Sequence, residues 1–330
     1  MTDRPDAPRP DAPWPDAHRN DPRAEAHDGP HVSAPAEGPR SAEPTETSEI
    51  PAAPPSPRRR SRPAAVHWLG YALVAVILLT GLLSLVWTPY ALSDMAGSRL
   101  EPPSLRHWAG TDQLGRDLFT QLMIGARIAL IVGTGAVAIG AAIGIVAGVL
   151  AAFATRFLDD ALAAVFDILI AFPTLLIAML VVAARESASL GTAILALGIG
   201  LSPIVGRVTR ILTKRVLAKD YITAARISGT GWPMVVADHV LPNIAPFLGV
   251  NLALQFGLAV MAEASLSYLG LGAPPPNASW GRMLQEAQGT VYSAPWAAVL
   301  PGLALFALVI GVNLTADGLR DRFDPAGREG

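Results

Sequence analysis

The sequence predicts an all-α membrane protein with six transmembrane helices, preceded by a disordered N-terminal tail. Three observations predict this class. Of the 330 residues, 51% are apolar and only 16% are charged, and the mean hydropathy is positive. The apolar residues are concentrated in runs of roughly 20 or more, the length that a helix needs to cross a bilayer. Residues 1–63, in contrast, contain almost no large apolar side chains.

The tail, residues 1–63, is rich in Pro, Ala, Asp and Arg. Such a segment cannot bury enough apolar surface to offset the entropy lost on ordering, so we expect it to be disordered. It closes with the basic run Arg58–Arg62. The apolar run that follows is longer than a signal-peptide core and has no A-x-A-like site after it. We therefore predict an uncleaved first helix.

Six apolar segments are long enough to span a bilayer. They are predicted at Val66–Trp87, Ala126–Phe153, Ala161–Ala184, Leu190–Ile211, Ile244–Ser265 and Ala294–Ala316. Most basic residues fall on one side of the resulting threading, among them Arg156, Arg207, Lys214 and Arg226. The positive-inside rule puts this side, and with it both termini, in the cytoplasm.

Small residues and prolines within the spans predict how the helices pack. Gly140, Gly144 and Gly148 recur every four residues in the second span, a spacing that lets another helix backbone approach closely. Pro173 and Pro203 predict kinks in the third and fourth spans. These features indicate a compact helical bundle without indicating a function.

Composition excludes several kinds of site. The absence of cysteine removes disulfides, thiolate nucleophiles and thiolate metal sites. A net charge of -2 gives no reason to expect a nucleic-acid partner. No G-x-x-x-x-G-K-[ST] sequence occurs, so the chain itself is not expected to bind ATP. We expect no catalytic residue and no cofactor bound by this chain. We also expect no metal site, since His239 has no second ligand within a helical turn.

A basic connection between the fourth and fifth spans, residues 207–243, is far longer than a turn requires. It can form two short helices that meet at a bend. Asp220 is expected to cap the first helix, and Gly229 to end it in a left-handed conformation. Pro233 is suited to the first turn of the second helix.

The same connection leaves two interpretations open. Its first helix carries a small or aromatic face formed by Tyr221, Ala224, Ala225 and Ser228, which permits close docking of a partner. An amphipathic hairpin on anionic lipid would also favour the basic residues. At its end, Pro242 is expected to push Leu241 away from helical geometry.

A second polar stretch precedes the second span. Thr111 or Asp112 is expected to cap a short helix that carries Leu114, Leu118 and Leu122 along the outer interface. A plain connector and a receptor-contacting element remain equally open.

The connection after the fourth span resembles the EAA signature of ABC importer permeases, the loop that docks on the ATPase subunit. The matching positions are Thr223, Ala224, Ala225, Gly229, His239, Leu241 and Pro242. Thr223 stands where the family usually has Glu. His239 replaces the usual Ile, and His followed by Val-Leu-Pro-Asn is similar to the peptide-transporter branch.

Two other stretches are similar to DppC/OppC-like permeases of dipeptide, oligopeptide and nickel importers. One is GTDQLGRD, with Gly110, Thr111, Asp112, Gly115, Arg116 and Asp117 as its motif residues. The other is EASLSYLGLGAPPPNASWGRML, Glu263–Leu284. The resemblance covers Val66–Phe323.

The resemblance implies a domain organisation. Residues 64–125 would form the first helix and the external segment. Residues 126–323 would form a five-helix permease core that includes the coupling loop 207–243, and residues 324–330 a short tail.

The resemblance also implies a function and a set of partners. The chain would line the path of an ATP-driven importer in the cell membrane, carrying di- or oligopeptides, with nickel or another small solute as the alternative. Its partners would be a second homologous permease subunit, two ABC ATPase subunits that hold ATP and Mg²⁺, and an extracytoplasmic solute-binding protein.

Two rivals from other classes follow from the residues alone. A stand-alone ion-coupled transporter or channel would use the carboxylates Asp167 and Glu263, although their positions near span ends favour structural anchoring. A membrane scaffold would use the Pro-rich tail as its effector.

Overall fold

The computed structural model describes residues 64–185, 189–272, 274 and 277–323. The predicted tails, residues 1–63 and 324–330, lie outside the described residues. The α-helices of the described part are α1 (Ala64–Leu83), α2 (Leu118–Phe153), α3 (Arg156–Ala171), α4 (Thr174–Ala184), α5 (Leu190–Leu217), α6 (Asp220–Ile227), α7 (Trp232–Met234), α8 (Leu241–Tyr268), α9 (Trp280–Ala287) and α10 (Trp296–Phe323). A π-helical turn, Val235–Val240, joins α7 to α8.

The predicted class, an all-α membrane protein, is confirmed. Five helical stretches are long and apolar enough to cross a membrane, and the bent pair α3 and α4 gives a sixth when counted as one span. Helices α2 and α5 share the largest helix–helix contact of the described part. Helix α1 packs on α10, whereas α8 contacts α10, α2 and α5.

The glycine stripe of α2 contacts another helix backbone closely, as predicted, and the structure shows that this helix is α5. A Cβ atom on Gly140 would lie 3.1 Å from the carbonyl oxygen of Gly198, and one on Gly144 would lie 2.6 Å from that of Ser202. Real Cβ atoms essentially never approach another atom as closely as 2.6 Å, and 3.1 Å is already an unusually tight contact, so glycine allows these two helix backbones to meet. Close backbone approach replaces the hydrophobic effect as the source of helix association in lipid.

We expect Gly148→Ala to destabilise the bundle. The added Cβ would overlap the carbonyl oxygen of Gly206 and lie 2.7 Å from the Cβ of Thr209; overpacking of this kind costs about 1–3 kcal/mol. The measurement is the apparent Tm of the purified protein. Gly249→Ala is the matched control, since nothing lies within 4 Å of its Cβ position. Equal Tm values for the two variants would contradict the packing argument.

The third span, predicted at Ala161–Ala184, is sharply bent at Pro173, where the sequence predicts a kink. Helices α3 and α4 are separated by a break and bent by 87°. Phe172 adopts an extended conformation (φ -80°, ψ 132°), because the ring of Pro173 disfavours helical geometry in the residue before it. Pro203, in contrast, lies inside the single helix Leu190–Leu217.

Helix starts also differ from the prediction before the second span. The prediction of a short helix capped by Thr111 or Asp112 is wrong. Helix α2 instead begins at Leu118 and continues unbroken. Its N-cap is Asp117, whose carboxylate accepts a hydrogen bond from the backbone N of Thr120 at 2.7 Å. The helix is longer than predicted because the cap lies at the end of the polar stretch and not at its beginning.

Candidate functional site

The bundle has two ends, which carry different candidate sites. His67 near the start of α1 lies 3.5 Å from Asp321 near the end of α10, so these two helix ends lie together. We call this end the basic end, because the arginines and lysines of the last turns of α5 and α6 belong to it. The other end is called the loop end; it carries residues 98–117 and helix α9.

At the basic end, α6 and α7 meet at a bend, as the sequence predicts. Gly229 has φ +90°, so the predicted left-handed conformation is confirmed. Asp220 is not a cap, because it is the first residue of α6 and the N-cap position belongs to Lys219, which makes no side-chain cap hydrogen bond. Pro233 lies in the first turn of α7, as predicted.

The side chains of this segment fix it to the bundle. Ile222 and Val235 are buried against a cluster that includes Val208 and Leu212 of α5. On the other side of the bend, the ring of Trp232 packs edge-on against Phe153 at the end of α2, 5.1 Å between centroids.

Arg226 closes the bend. Its guanidinium stacks 4.2 Å from the centroid of the Trp232 ring, an arrangement that stabilises a cation. Its Nη1 donates a hydrogen bond of 2.5 Å to the carbonyl oxygen of Thr230. The bend between α6 and α7 is therefore held by a side chain on each side of Gly229.

The segment is continuous with a membrane-length helix. Leu241 has helical dihedrals (φ -57°, ψ -46°), so the prediction that Pro242 would push it out of the helix is wrong. The π-helical turn Val235–Val240 lies in the turn before Pro242, and it is wider than an α-turn, which relieves the clash between the proline ring and the preceding turn. As a result Trp232–Tyr268 forms one helical stretch of 37 residues.

An apolar patch is exposed on this segment. We call it the apolar patch; its members are Tyr221 (45% exposed), Ile227 (82%), Trp232 (46%), Met234 (55%) and Leu241 (37%). Other residues of the EAA-like pattern lie around it: Thr223, Ala224, Gly229 and Pro242 are exposed, and Ala225 and His239 are half-buried. His239 contacts Tyr221 edge-on at 6.1 Å between ring centroids. Most of the sequence-predicted residues are therefore exposed on this segment.

At the loop end, the GTDQLGRD stretch folds back on itself. Gly110 and Gly115 have φ of +78° and +79°, and Thr111 forms an isolated bridge with Asp117. The Thr111 hydroxyl donates to the carbonyl oxygen of Ser98 at 2.5 Å. Asp117 also contacts the Nδ1 of the buried His107 at 3.0 Å. This compact loop packs on the start of α2.

A charge network joins this loop to α9. The buried Asp112 accepts hydrogen bonds from Arg116 Nε (2.6 Å) and Gln121 Nε2 (2.9 Å). Arg116 Nη2 lies 2.8 Å from Glu286 Oε2, and Arg282 Nε lies 2.9 Å from Glu286 Oε1. These side chains line a cavity of about 460 Å³.

Sequence reasoning missed Arg282 and Glu286, because it did not predict α9. A signal was present: Ser279 accepts a hydrogen bond from the backbone N of Arg282 as an N-cap. A serine followed by an i,i+4 Arg–Glu pair is a helix signature. The contact of Glu286 with Arg116, 170 residues earlier, has no local signal.

The carboxylates within or near the spans have partners. Asp167 lies 3.1 Å from Arg207, and Glu263 accepts a hydrogen bond of 2.6 Å from Ser267. The role of structural anchor stays a prediction for both carboxylates. The sequence reasoning also overlooked the buried Asp159, which pairs with Arg210 at 2.5 Å and with Lys214. No group of three or more His, Asp or Glu residues suited to a metal ion occurs in the described ranges.

Membrane-length helices, joined at one end by an exposed helical segment, define a multi-pass helical membrane protein. Comparison with known families identifies which one. The chain belongs to the family described as binding-protein-dependent transport system inner membrane component, which matches residues 144–329, more than half of the chain. Members are transport permease subunits.

Individual relatives extend the similarity toward the N-terminus. The chain is 37% identical to the dipeptide transport system permease protein DppC of Alkalihalophilus pseudofirmus, with 77% of this chain and 85% of that protein covered. It is 37% identical to a putative peptide transport system permease protein of Brucella suis, covering 76% and 86%. It is 41% identical to the glutathione transport system permease protein GsiD of Escherichia coli, covering 68% and 73%.

Proposed function

We propose that this chain is the permease subunit of an ATP-driven importer and forms part of the path for short peptides. The observation that carries the proposal is the exposed apolar patch on a segment continuous with the 37-residue helix Trp232–Tyr268. The names of the relatives, which refer to dipeptide, peptide and glutathione transport, favour a peptide over nickel. No reaction is assigned to the chain itself.

The proposed orientation places the basic end in the cytoplasm. Lys214 and Arg215 lie in the last turn of α5, Arg226 in that of α6, and Arg320 and Arg322 in that of α10. Basic residues are retained on the cytoplasmic side during insertion. Since α1 begins and α10 ends at this same end, both termini are cytoplasmic in the proposed orientation.

The proposed role of the segment at the basic end is to dock on an ATPase subunit. Apolar side chains as exposed as Ile227 (82%) and Met234 (55%) suit a contact that excludes water. The coupling residues are proposed to be Thr223, Ala224, Ala225, Gly229, His239, Leu241 and Pro242.

The continuity of the helix supports a mechanism for coupling. The two ATPase subunits would hold ATP and Mg²⁺, and this chain none. A displacement of the docked segment would move α8 as one body, because no flexible loop separates Trp232 from Tyr268. That motion would repack α8 against α5 and α2 and switch access from outside to inside. A second permease subunit and an external binding protein would complete the importer.

We expect Ile227→Glu to remove the ATPase subunits from the purified complex. A buried carboxylate without a partner is strongly disfavoured at a desolvated contact. The measurement is affinity purification of the chain from its native membrane in mild detergent, with quantitative mass spectrometry of the co-purified chains. We expect the wild type to bring down ATPase subunits and a second multi-pass chain, and the variant to lose the ATPase at least tenfold, on the order of 1.4 kcal/mol.

The control for this experiment is Met95→Glu, which adds the same charge to an exposed apolar residue (67%) of the connection between α1 and α2, away from the apolar patch. It should co-purify with the same ATPase as the wild type. A wild-type chain that purified alone, under conditions that keep other membrane complexes intact, would contradict the importer. An ATPase retained equally by both variants would contradict docking through the apolar patch, but it would not contradict the importer.

A further inference from the structure

The cavity at the loop end has the size and lining of a small-molecule site. Its volume of about 460 Å³ lies within the range of roughly 300–1,000 Å³ found for ligand pockets. Its lining has charged side chains, Asp112, Arg116, Arg282 and Glu286, which we call the charged wall, and apolar ones that include Leu100 and Met283, which we call the apolar wall. A ligand that fits this lining has one charged group and one apolar group.

The two carboxylates and two guanidinium groups of the charged wall have a net charge of zero, but they differ in how many of their hydrogen-bonding atoms have a partner. Asp112 accepts four hydrogen bonds, two from backbone N–H groups and two from side chains. Both oxygens of Glu286 are occupied by arginines. Arg282 uses only its Nε, and its two terminal nitrogens make no hydrogen bond or ion pair with any residue in the described ranges. The wall therefore offers unused donors, which fit an anion.

The free edge of Arg282 is held in a fixed orientation. Glu286, one turn later on α9, binds its Nε at 2.9 Å and is itself held by Arg116 at 2.8 Å. Helix α9 is fixed to α2 by the indole of Trp280, which donates to the carbonyl oxygen of Leu122 at 3.1 Å. A planar guanidinium that is already oriented matches a carboxylate in two parallel hydrogen bonds and loses little entropy on binding.

We propose that this cavity binds the carboxylate terminus of a short peptide. The terminal nitrogens of Arg282 hold the carboxylate, and the apolar wall takes the adjoining side chain. The choice of a peptide rests on the proposed function, whereas the choice of a carboxylate rests on the geometry of Arg282. An acidic side chain of a partner protein carries the same group, but a volume of about 460 Å³ lies in the range of small-ligand pockets.

The test measures binding to the complex as purified from the native membrane and placed in lipid nanodiscs, without the external binding protein. The probes are L-alanyl-L-phenylalanine and its C-terminal amide, titrated by calorimetry. We expect the free acid to bind about tenfold more tightly than the amide, as for one charge-assisted contact. Arg282→Gln should bring this ratio close to one.

The matched control is Arg99→Gln, which removes the same charge from an exposed arginine of the same end that does not line the cavity. It should keep the tenfold preference. If Arg282→Gln does not purify intact, Arg282→Lys takes its place; it retains the charge but lacks the two-pronged edge, and should lose most of the preference.

Three results would overturn the proposal: no preference for the acid in the wild type, a preference that survives in the Arg282 variants, or an equal loss in Arg99→Gln. Uptake of the same dipeptide into vesicles, measured with the complete wild-type importer, separates this from the proposed function. Absent uptake would contradict peptide transport, whereas the binding ratio decides the carboxylate site independently.

Discussion

Replacement of Gly229 by alanine is expected to lower peptide uptake by about tenfold while leaving the protein in the membrane. Gly229 has φ +90°, where a side chain costs roughly 1–2 kcal/mol. The bend between α6 and α7 would straighten or shift, and the apolar patch would lose its shape. The measurement is ATP-dependent uptake in vesicles, with the amount of chain in the membrane determined in parallel.

Two further variants distinguish an effect on the bend between α6 and α7 from an effect on the exposed surface of the segment. Gly231→Ala is the control for the bend, since Gly231 has φ -68° and its Cβ position has only Pro233 nearby, at 3.8 Å; uptake should be retained. Gly229→Arg adds bulk to the strain, and we expect it to leave ATP hydrolysis uncoupled from uptake. Normal uptake by Gly229→Arg would contradict the docking assignment.

The second large effect is expected for Asp112→Ala at the loop end. The Asp112 carboxylate accepts hydrogen bonds from the backbone N–H groups of Leu114 and Arg116 (2.8 and 2.9 Å) as well as from two side chains. Its removal leaves these donors without their acceptor, including the charged Arg116. Loss of one member of a buried ion pair costs about 3 kcal/mol or more, and we expect a correspondingly lower Tm of the purified protein.

Asp94→Ala is the control for this variant, because Asp94 is exposed and lies in the same region between α1 and α2. Its Tm should equal that of the wild type. A small and equal effect of both substitutions would mean that the Asp112 network does not hold the loop. Asp112→Asn should be intermediate, since an amide oxygen can still accept the backbone hydrogen bonds but cannot pair with a guanidinium.

The sequence predicted the spans well because length and apolarity are local properties. Five spans were found with boundaries that shift by up to about eight residues, and the close approach of another helix to Gly140 and Gly144 followed from their spacing. The left-handed Gly229 was also predicted, since glycine between two amphipathic stretches has few other roles.

The errors came from prolines and caps, where local rules compete. Pro173 breaks its span, Pro203 does not, and Pro242 is accommodated by a π-helical turn. The sequence rule is the same in all three cases and does not distinguish their outcomes. The capping rule similarly offered Thr111, Asp112 and Asp117, of which the structure uses the last.

The sequence by itself determined the all-α membrane class, the spans and the segment that resembles an EAA loop, because each depends on residues close together in the chain. Only the tertiary structure decided that this segment is continuous with α8 and that Arg116 meets Glu286 across 170 residues. Side-chain contacts between distant segments depend on how the helices pack in three dimensions. No periodicity in the sequence predicts that packing. The cavity beside Arg282 is a result of the same packing.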